Sequence, residues 1–179
     1  MGKSLEDKIN DNHIIFITSE MNSKQISDAI LSILAWSEMD EKLEINLYLT
    51  GECHYLLNYM ALYDVLSSVN NPVNVFCFGI ISAYGSIFLA LPNKGKRYAL
   101  RHGSIEFQQP YGAMNYGVNQ ETEIAIEAEK VSEERRLFEE ILSTGINKPL
   151  ETIHHDVEIE REFTAKEALE YGLIDEILE

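Results

Sequence analysis

The sequence predicts an α/β fold in one domain, with parallel strands joined by crossover helices. Short apolar runs rich in β-branched and aromatic residues alternate with longer segments whose apolar residues recur at helical spacing. At 179 residues and 45% hydrophobic content the chain buries one substantial core. No linker, repeat or low-complexity tract divides residues 1–179. Val75 to Leu91 is uncharged, but Gly79 splits it into a β-rich half and a helical half, bounded by Asn74 and Pro92. It therefore reads as a buried strand feeding a core helix rather than a membrane span.

The elements follow in order. Met1 to Asp11 is polar and has no apolar h-region, so no signal peptide is expected, and residues 1–13 form a short N-terminal segment. Residues 14–18 are a strand. Asn22 and Gln25 make a capping-box start to a helix with Ile26, Ile30, Ile33 and Leu34 on one face. Glu44–Leu49 is a second strand, Tyr55 to Val69 a helix, and Val73–Phe78 a third strand. Lys96–Leu100 and Ser104–Gln108 are two more. Tyr111 to Val118, with Gly112 and Gly117, reads as an extended arm. Gln120 to Ser143 is a long charged helix with Ile124, Ala128, Val131, Phe138 and Leu142 on one stripe. A helix of that length at the edge of so small a domain lies outside the core and projects or packs against another subunit. Thr164 with Glu167 caps a last helix, which Gly172 ends.

Composition excludes several partners. Thirty acidic residues against fourteen basic ones give a formal charge of −16, which argues against nucleic acid and anionic membrane surfaces. The two cysteines, Cys53 and Cys77, fit a reducing cytosol and make no metal-ligand pattern, and no cofactor motif is present.

From about Ile14 to Ile177 the chain resembles the proteolytic subunit of the Clp protease, a cytosolic serine peptidase whose rings stack into a barrel. The likeness rests on ordered blocks at matching spacing: Ile14-Ile15-Phe16, Ile45-Asn46-Leu47-Tyr48-Leu49, Ala61-Leu62-Tyr63-Asp64, Gly79 to Leu91, Lys94-Gly95-Lys96-Arg97, Gln109-Pro110-Tyr111-Gly112, and Glu167 to Asp175. The resemblance implies a layered ββα superhelix shared with crotonases. It also implies that residues 111–147 form the arm and handle helix that interlock two rings. A crotonase-type acyl-CoA enzyme has the same fold, but the chain shows no evident adenine or phosphate contacts.

The resemblance also places a catalytic triad, and this chain departs from it. The family's glycine lies four residues before the nucleophilic serine, and its Lys-Gly-Lys-Arg begins eleven after it. Gly79 and Lys94 thus fix the nucleophile position at Ala83. The family's His-Gln-Pro motif reads Gln108-Gln109-Pro110, and an amide cannot take and return a proton as imidazole does. Asp156 matches the acid that orients the histidine; with none to orient, it is expected to be solvated or ion-paired. The segment from Asp156 to Phe163 is one residue longer than the family pattern. His154 and His155, adjacent on a helix, diverge by about a hundred degrees and read as surface residues.

The oxyanion region comprises Gly51, Glu52, Cys53 and His54, with Tyr84 after the nucleophile position. Where the family has a glycine-rich turn, His54 stands at the second glycine and Glu52 adds a carboxylate that opposes an oxyanion. Two displaced nucleophiles remain as alternatives. Ser82 is otherwise a buried hydroxyl bonded to backbone, and Cys53 stands beside His54. The resemblance thus implies a cytoplasmic, ring-forming, proteolytically inactive subunit of structural or regulatory role, like the family's non-catalytic R-type members. Its partners would be copies of itself, in rings of seven with one or two stacked, or an active Clp peptidase subunit. About thirteen charged and polar residues precede Ile14, where the family carries an axial segment that meets the ATPase, so docking of that ATPase is not expected.

Overall fold

The computed structural model describes residues 3–19, 21–53, 56–91, 95–110 and 120–179. The arm expected at Tyr111–Val118 lies outside these residues, as do His54 and Tyr55. The chain runs α1 (Leu5–Asp11), β1 (Ile14–Thr18), α2 (Ser23–Met39), β2 (Ile45–Cys53), α3 (Leu56–Ser68) and β3 (Val73–Ala83). A 3-10 helix (Tyr84–Ala90) follows, then β4 (Arg97–Leu100), β5 (Ser104–Glu106), α4 (Glu121–Gly145), α5 (Leu150–Glu158), β6 (Glu162–Thr164), α6 (Ala165–Tyr171) and β7 (Glu176–Leu178).

Local chemistry sets several of these starts. Asn22 and Gln25 form the expected capping box, as do Thr164 and Glu167, and Gly172 ends α6 in the left-handed region at φ 94°. A further capping box opens α1: the Ser4 hydroxyl accepts from the Asp7 amide at 3.0 Å, and the Asp7 carboxylate accepts from the Ser4 amide at 2.9 Å. That Ser-x-x-Asp signal lies in the segment read from sequence as merely polar.

The strands form one sheet in the order β1-β2-β3-β4-β7, parallel throughout that path, as the crossover pattern requires. β3 is longer than expected because it serves two ladders. Val75–Cys77 pair with Arg97–Ala99 of β4, and Ile80–Ile81 pair with Ser104–Ile105 of β5. Between these ladders β3 bulges at Gly79 (φ 66°), where the register with β2 passes from Leu49↔Cys77 to Gly51↔Ile81. β5 then pairs antiparallel with β6, a reversal the alternating pattern did not announce.

The core lies between the sheet and Ile26, Ile33 and Trp36 of α2, Leu56, Tyr59, Leu62 and Leu66 of α3, and the entire 3-10 helix. On the other face of the sheet, alternation along four strands brings Phe16, Tyr48, Phe76 and Tyr98 into a stacked row with ring centroids 5.1, 4.9 and 4.8 Å apart.

The long helix corrects an expectation. α4 does not lie wholly outside the core: Phe138 and Leu142 are fully buried, and Phe138 packs edge-on against Tyr84 at 5.2 Å and Phe107 at 6.3 Å. Only the N-terminal half of α4 stands clear, with Ile124 and Ile126 46% and 49% exposed.

Arg97 ties β4 to the chain's end. Its guanidinium donates to both Asp175 oxygens, at 2.6 and 3.1 Å, and to the Gly172 carbonyl at 2.8 Å, while its amide donates to Asp175 at 2.8 Å. The Arg97 hydrogen bond holds the Asp175 carboxyl below its ordinary 3.8. A folded-state pKa below the unfolded one stabilises fully above pH 3.8 and less as pH falls through the folded value. Asp175→Asn is therefore expected to melt below the wild type at pH 7, with the gap closing toward pH 3. Thermal denaturation followed across that range checks it, and a pH-independent gap would refute the role given to this carboxylate.

Candidate active site

Ala83 ends β3, and its backbone at φ 50°, ψ −130° turns the chain sharply into the 3-10 helix. This conformation is sparsely populated for a residue with a side chain, and strain of this kind stands at about 1–3 kcal/mol. The surroundings hold it in place. The Ser86 hydroxyl donates to the Ala83 carbonyl at 3.0 Å, and all seven residues of the 3-10 helix are buried. The backbone thus makes a tight strand-to-helix elbow of the kind on which a nucleophile is exposed in hydrolases, and the side chain at its corner is the methyl group of Ala83.

The neighbouring candidates are enclosed. Ser82 is fully buried and its hydroxyl has no hydrogen-bond partner among the described residues, which corrects the expectation that it bonds to backbone. Cys53 is 2% exposed, with its sulfur 3.7 Å from the Ser19 carbonyl. Cys77 lies in the β3 interior, where burial pushes its thiol up to about 12. None of these three is placed to meet a substrate from solvent.

The oxyanion region takes a form the sequence did not reveal. Rather than ending near Leu49 in a free turn, β2 runs on to Cys53, and Glu52 and Cys53 pair with Ser82 and Ala83. Gly51 allows this close approach: at φ 96°, an added Cβ would sit 2.4 Å from the Ser19 hydroxyl oxygen. Glu52 is exposed beside the elbow. Tyr84, next after Ala83, is buried, and its hydroxyl donates to Glu134 at 3.4 Å.

The β3–β5–β6 registers bring Gln108 and the turn after Asp156, the other two positions that the resemblance assigns to a triad, toward the same end of the sheet. Phe107 donates its amide to the Arg161 carbonyl at 3.0 Å, which sets Gln108 beside the turn that follows α5. The Gln108 amide donates to Glu106 at 3.1 Å. Asp156 is 2% exposed, and each of its oxygens has a partner: Arg161 at 3.1 Å and the Tyr171 hydroxyl at 2.6 Å. Of the two expected fates, the acid is ion-paired and not solvated. Burial, followed by the hydrogen bond to Asp156, drives the Tyr171 phenol well above its ordinary value.

A charged cluster beside this turn escaped the sequence reading. Glu139 on α4 is 5% exposed and is held by Arg135 at 2.7 Å and by His154 Nδ1 at 3.0 Å. Arg135 also donates to Gln109 at 3.3 Å, and the Gln109 amide donates to the Glu158 carbonyl at 3.0 Å. His154 and His155 are both exposed, as expected of surface residues, but His154 is in addition a partner of a buried carboxylate. The available signal was Glu139 standing between Phe138 and Leu142, on the face that reaches the core. Among the described residues no group of His, Cys, Asp and Glu is arranged to hold a metal ion, and no helix is long and apolar enough to cross a membrane.

An elbow at Ala83, a parallel sheet whose third strand serves two ladders, and a long helix packed on the elbow occur together in this chain. The family model for Clp protease matches residues 2–179, essentially its whole length, and the chain belongs to that family.

Proposed function

We propose that this protein is a proteolytically inactive, ring-forming Clp protease subunit that serves a structural or regulatory role beside an active peptidase subunit. One observation carries the reading: the strained elbow is kept while its residue is Ala83, which has no atom able to attack a carbonyl. Gln108 supplies no base, and Asp156 is engaged by Arg161 and Tyr171. Burial of Ser82 and Cys53 weighs against a displaced nucleophile. The retained core and the partly uncovered α4 suit a part in an assembly, for which rings of seven are the family's precedent.

The test is labelling with a fluorophosphonate or β-lactone, with fluorogenic peptides as substrates, and light scattering of the same sample. No adduct, no turnover and a particle several times the 20.4 kDa chain mass are expected. Stoichiometric adduct on Ser82 or Cys53 would overturn the inactivity, and a monomer at micromolar concentration would overturn ring assembly.

A further inference from the structure

The strand at the edge of the sheet leaves half of its backbone groups open. β1 stands at the end of the strand order and pairs with β2 alone. Two hydrogen bonds set the phase of that ladder: the Asn46 amide donates to the His13 carbonyl at 2.9 Å, and the Ser19 amide donates to the Thr50 carbonyl at 3.0 Å. In a parallel ladder alternate residues of a strand bond to one neighbour. Ile15 and Ile17 therefore turn their amides and carbonyls to β2, while those of Ile14, Phe16 and Thr18 point to the outer edge. Among the described residues nothing bonds to that edge. Natural edge strands are commonly blunted by charge, proline or a bulge. Ile14-Ile15-Phe16-Ile17-Thr18 has none of these and stays in unbroken register with β2.

A groove of about 560 Å³ lies along this edge, a volume within the range of ligand pockets. Three consecutive strand residues, Ile14, Ile15 and Phe16, line it. Successive side chains of a strand point to opposite faces, so a groove that touches all three follows the edge and not one face of the sheet. α1 walls it with Glu6 and α2 with Asp28 and Trp36. The lining carries these two carboxylates and no basic side chain, although Lys24 stands beside Asp28 at 2.5 Å. An open row of amides and carbonyls beside a groove fits an extended peptide: main-chain bonds supply affinity, and the groove takes alternate side chains. The β1 of a second copy fits less well. Its residues 14–18 bring no positive charge, and its own Glu6 and Asp28 would approach the first pair.

We infer that the outer edge of β1 binds an extended polypeptide segment as an added strand, with apolar side chains at alternate positions in the groove and a lysine or arginine meeting Glu6 or Asp28. The inference needs neither ring assembly nor catalytic inactivity. On a subunit without a nucleophile, such an edge would hold an unfolded chain rather than cut it.

The test titrates the full-length chain with the end-capped peptide Lys-Val-Thr-Val-Lys-Val-Thr and follows Trp36, the chain's single tryptophan and part of the groove wall, by fluorescence. Residue-resolved amide hydrogen exchange is measured with and without peptide. In the chain alone Ile15 and Ile17 are expected to be protected while Ile14, Phe16 and Thr18 exchange freely, and bound peptide should protect the latter three. Two further peptides are N-methylated, each on one alternate set of amides. The set that faces β1 should lower affinity roughly tenfold or more, and the other set much less. Glutamate in place of both lysines should weaken binding roughly threefold or more in low salt. Phe16→Pro removes one outer amide without touching the ladder to β2, so it should keep the wild-type circular dichroism spectrum and bind roughly threefold or more weakly; should it misfold, the methylated peptides decide. Four results would overturn the inference: protection of Ile14, Phe16 and Thr18 in the chain alone, no binding of the parent peptide, equal affinity of the two methylated peptides, or a glutamate peptide that binds as well. Each is read whether or not the chain forms rings or reacts with fluorophosphonates.

Discussion

Ala83→Ser with Gln108→His, which supplies a serine and a histidine at the positions proposed for nucleophile and base, is expected to leave peptide turnover at least a hundredfold below that of an active Clp peptidase subunit assayed in parallel. The elbow would present the new hydroxyl well, since its backbone already has the required turn at φ 50°. Two defects would remain. A histidine at 108 would have to compete for Asp156 with Arg161 and with the Tyr171 hydroxyl at 2.6 Å. Loss of the orienting acid in a serine-hydrolase triad lowers turnover about 10⁴-fold. The oxyanion side is also altered, because β2 continues through Glu52 and Cys53 in register with Ser82 and Ala83. Loss of a single oxyanion donor alone lowers the rate by roughly 10²–10³. Turnover within tenfold of the active subunit would mean that Asp156 yields to the new imidazole and that the Gly51–Cys53 strand end still supplies a donor.

The parts of the molecule that were legible in the sequence are those where local signals and burial agree. Asn22 with Gln25, and Thr164 with Glu167 and Gly172, marked helix ends because capping is a contact between residues three apart. The strand of Val73–Phe78 and the turn after Gly79 were visible as an apolar run broken by glycine. Its continuation to Ala83 was not, because that depends on pairing of Ile80–Ile81 with β5, some twenty-five residues later, and of Ser82–Ala83 with the end of β2. The same limit hid the extension of β2 to Cys53. Tyr84–Ala90 reads as an ordinary apolar helix in sequence; its 3-10 form depends on the elbow and on Ser86 reaching back to the Ala83 carbonyl. For the site, the residue types at 83, 108 and 156 came from matched spacing, but the partners of Asp156 and Glu139 arise where α4, α5 and α6 meet. No spacing rule reaches across those helices.

α4 offers the sharpest separation of folding from assembly, because one stripe serves both. Phe138 is fully buried between Tyr84 and Phe107, so Phe138→Ala is expected to lower stability by about 3–5 kcal/mol. Phe138→Asp, which places a charge there without a partner, is expected to leave no stable fold. About four turns earlier the helix has no core to lose. Ile124→Asp should stay within about 0.5 kcal/mol of the wild type in urea denaturation, while light scattering is expected to show weaker association between subunits, because the substitution removes an exposed apolar contact. The contrast follows from geometry. The helix rises about 1.5 Å per residue, so the fourteen steps from 124 to 138 span roughly 21 Å, enough for one end to lie in the core while the other clears it. If Ile124→Asp unfolds the domain, the N-terminal half is part of the fold and not a free surface. If Phe138→Ala is neutral, the elbow at Ala83 does not depend on α4 behind it. Both outcomes are read from the same denaturation curves.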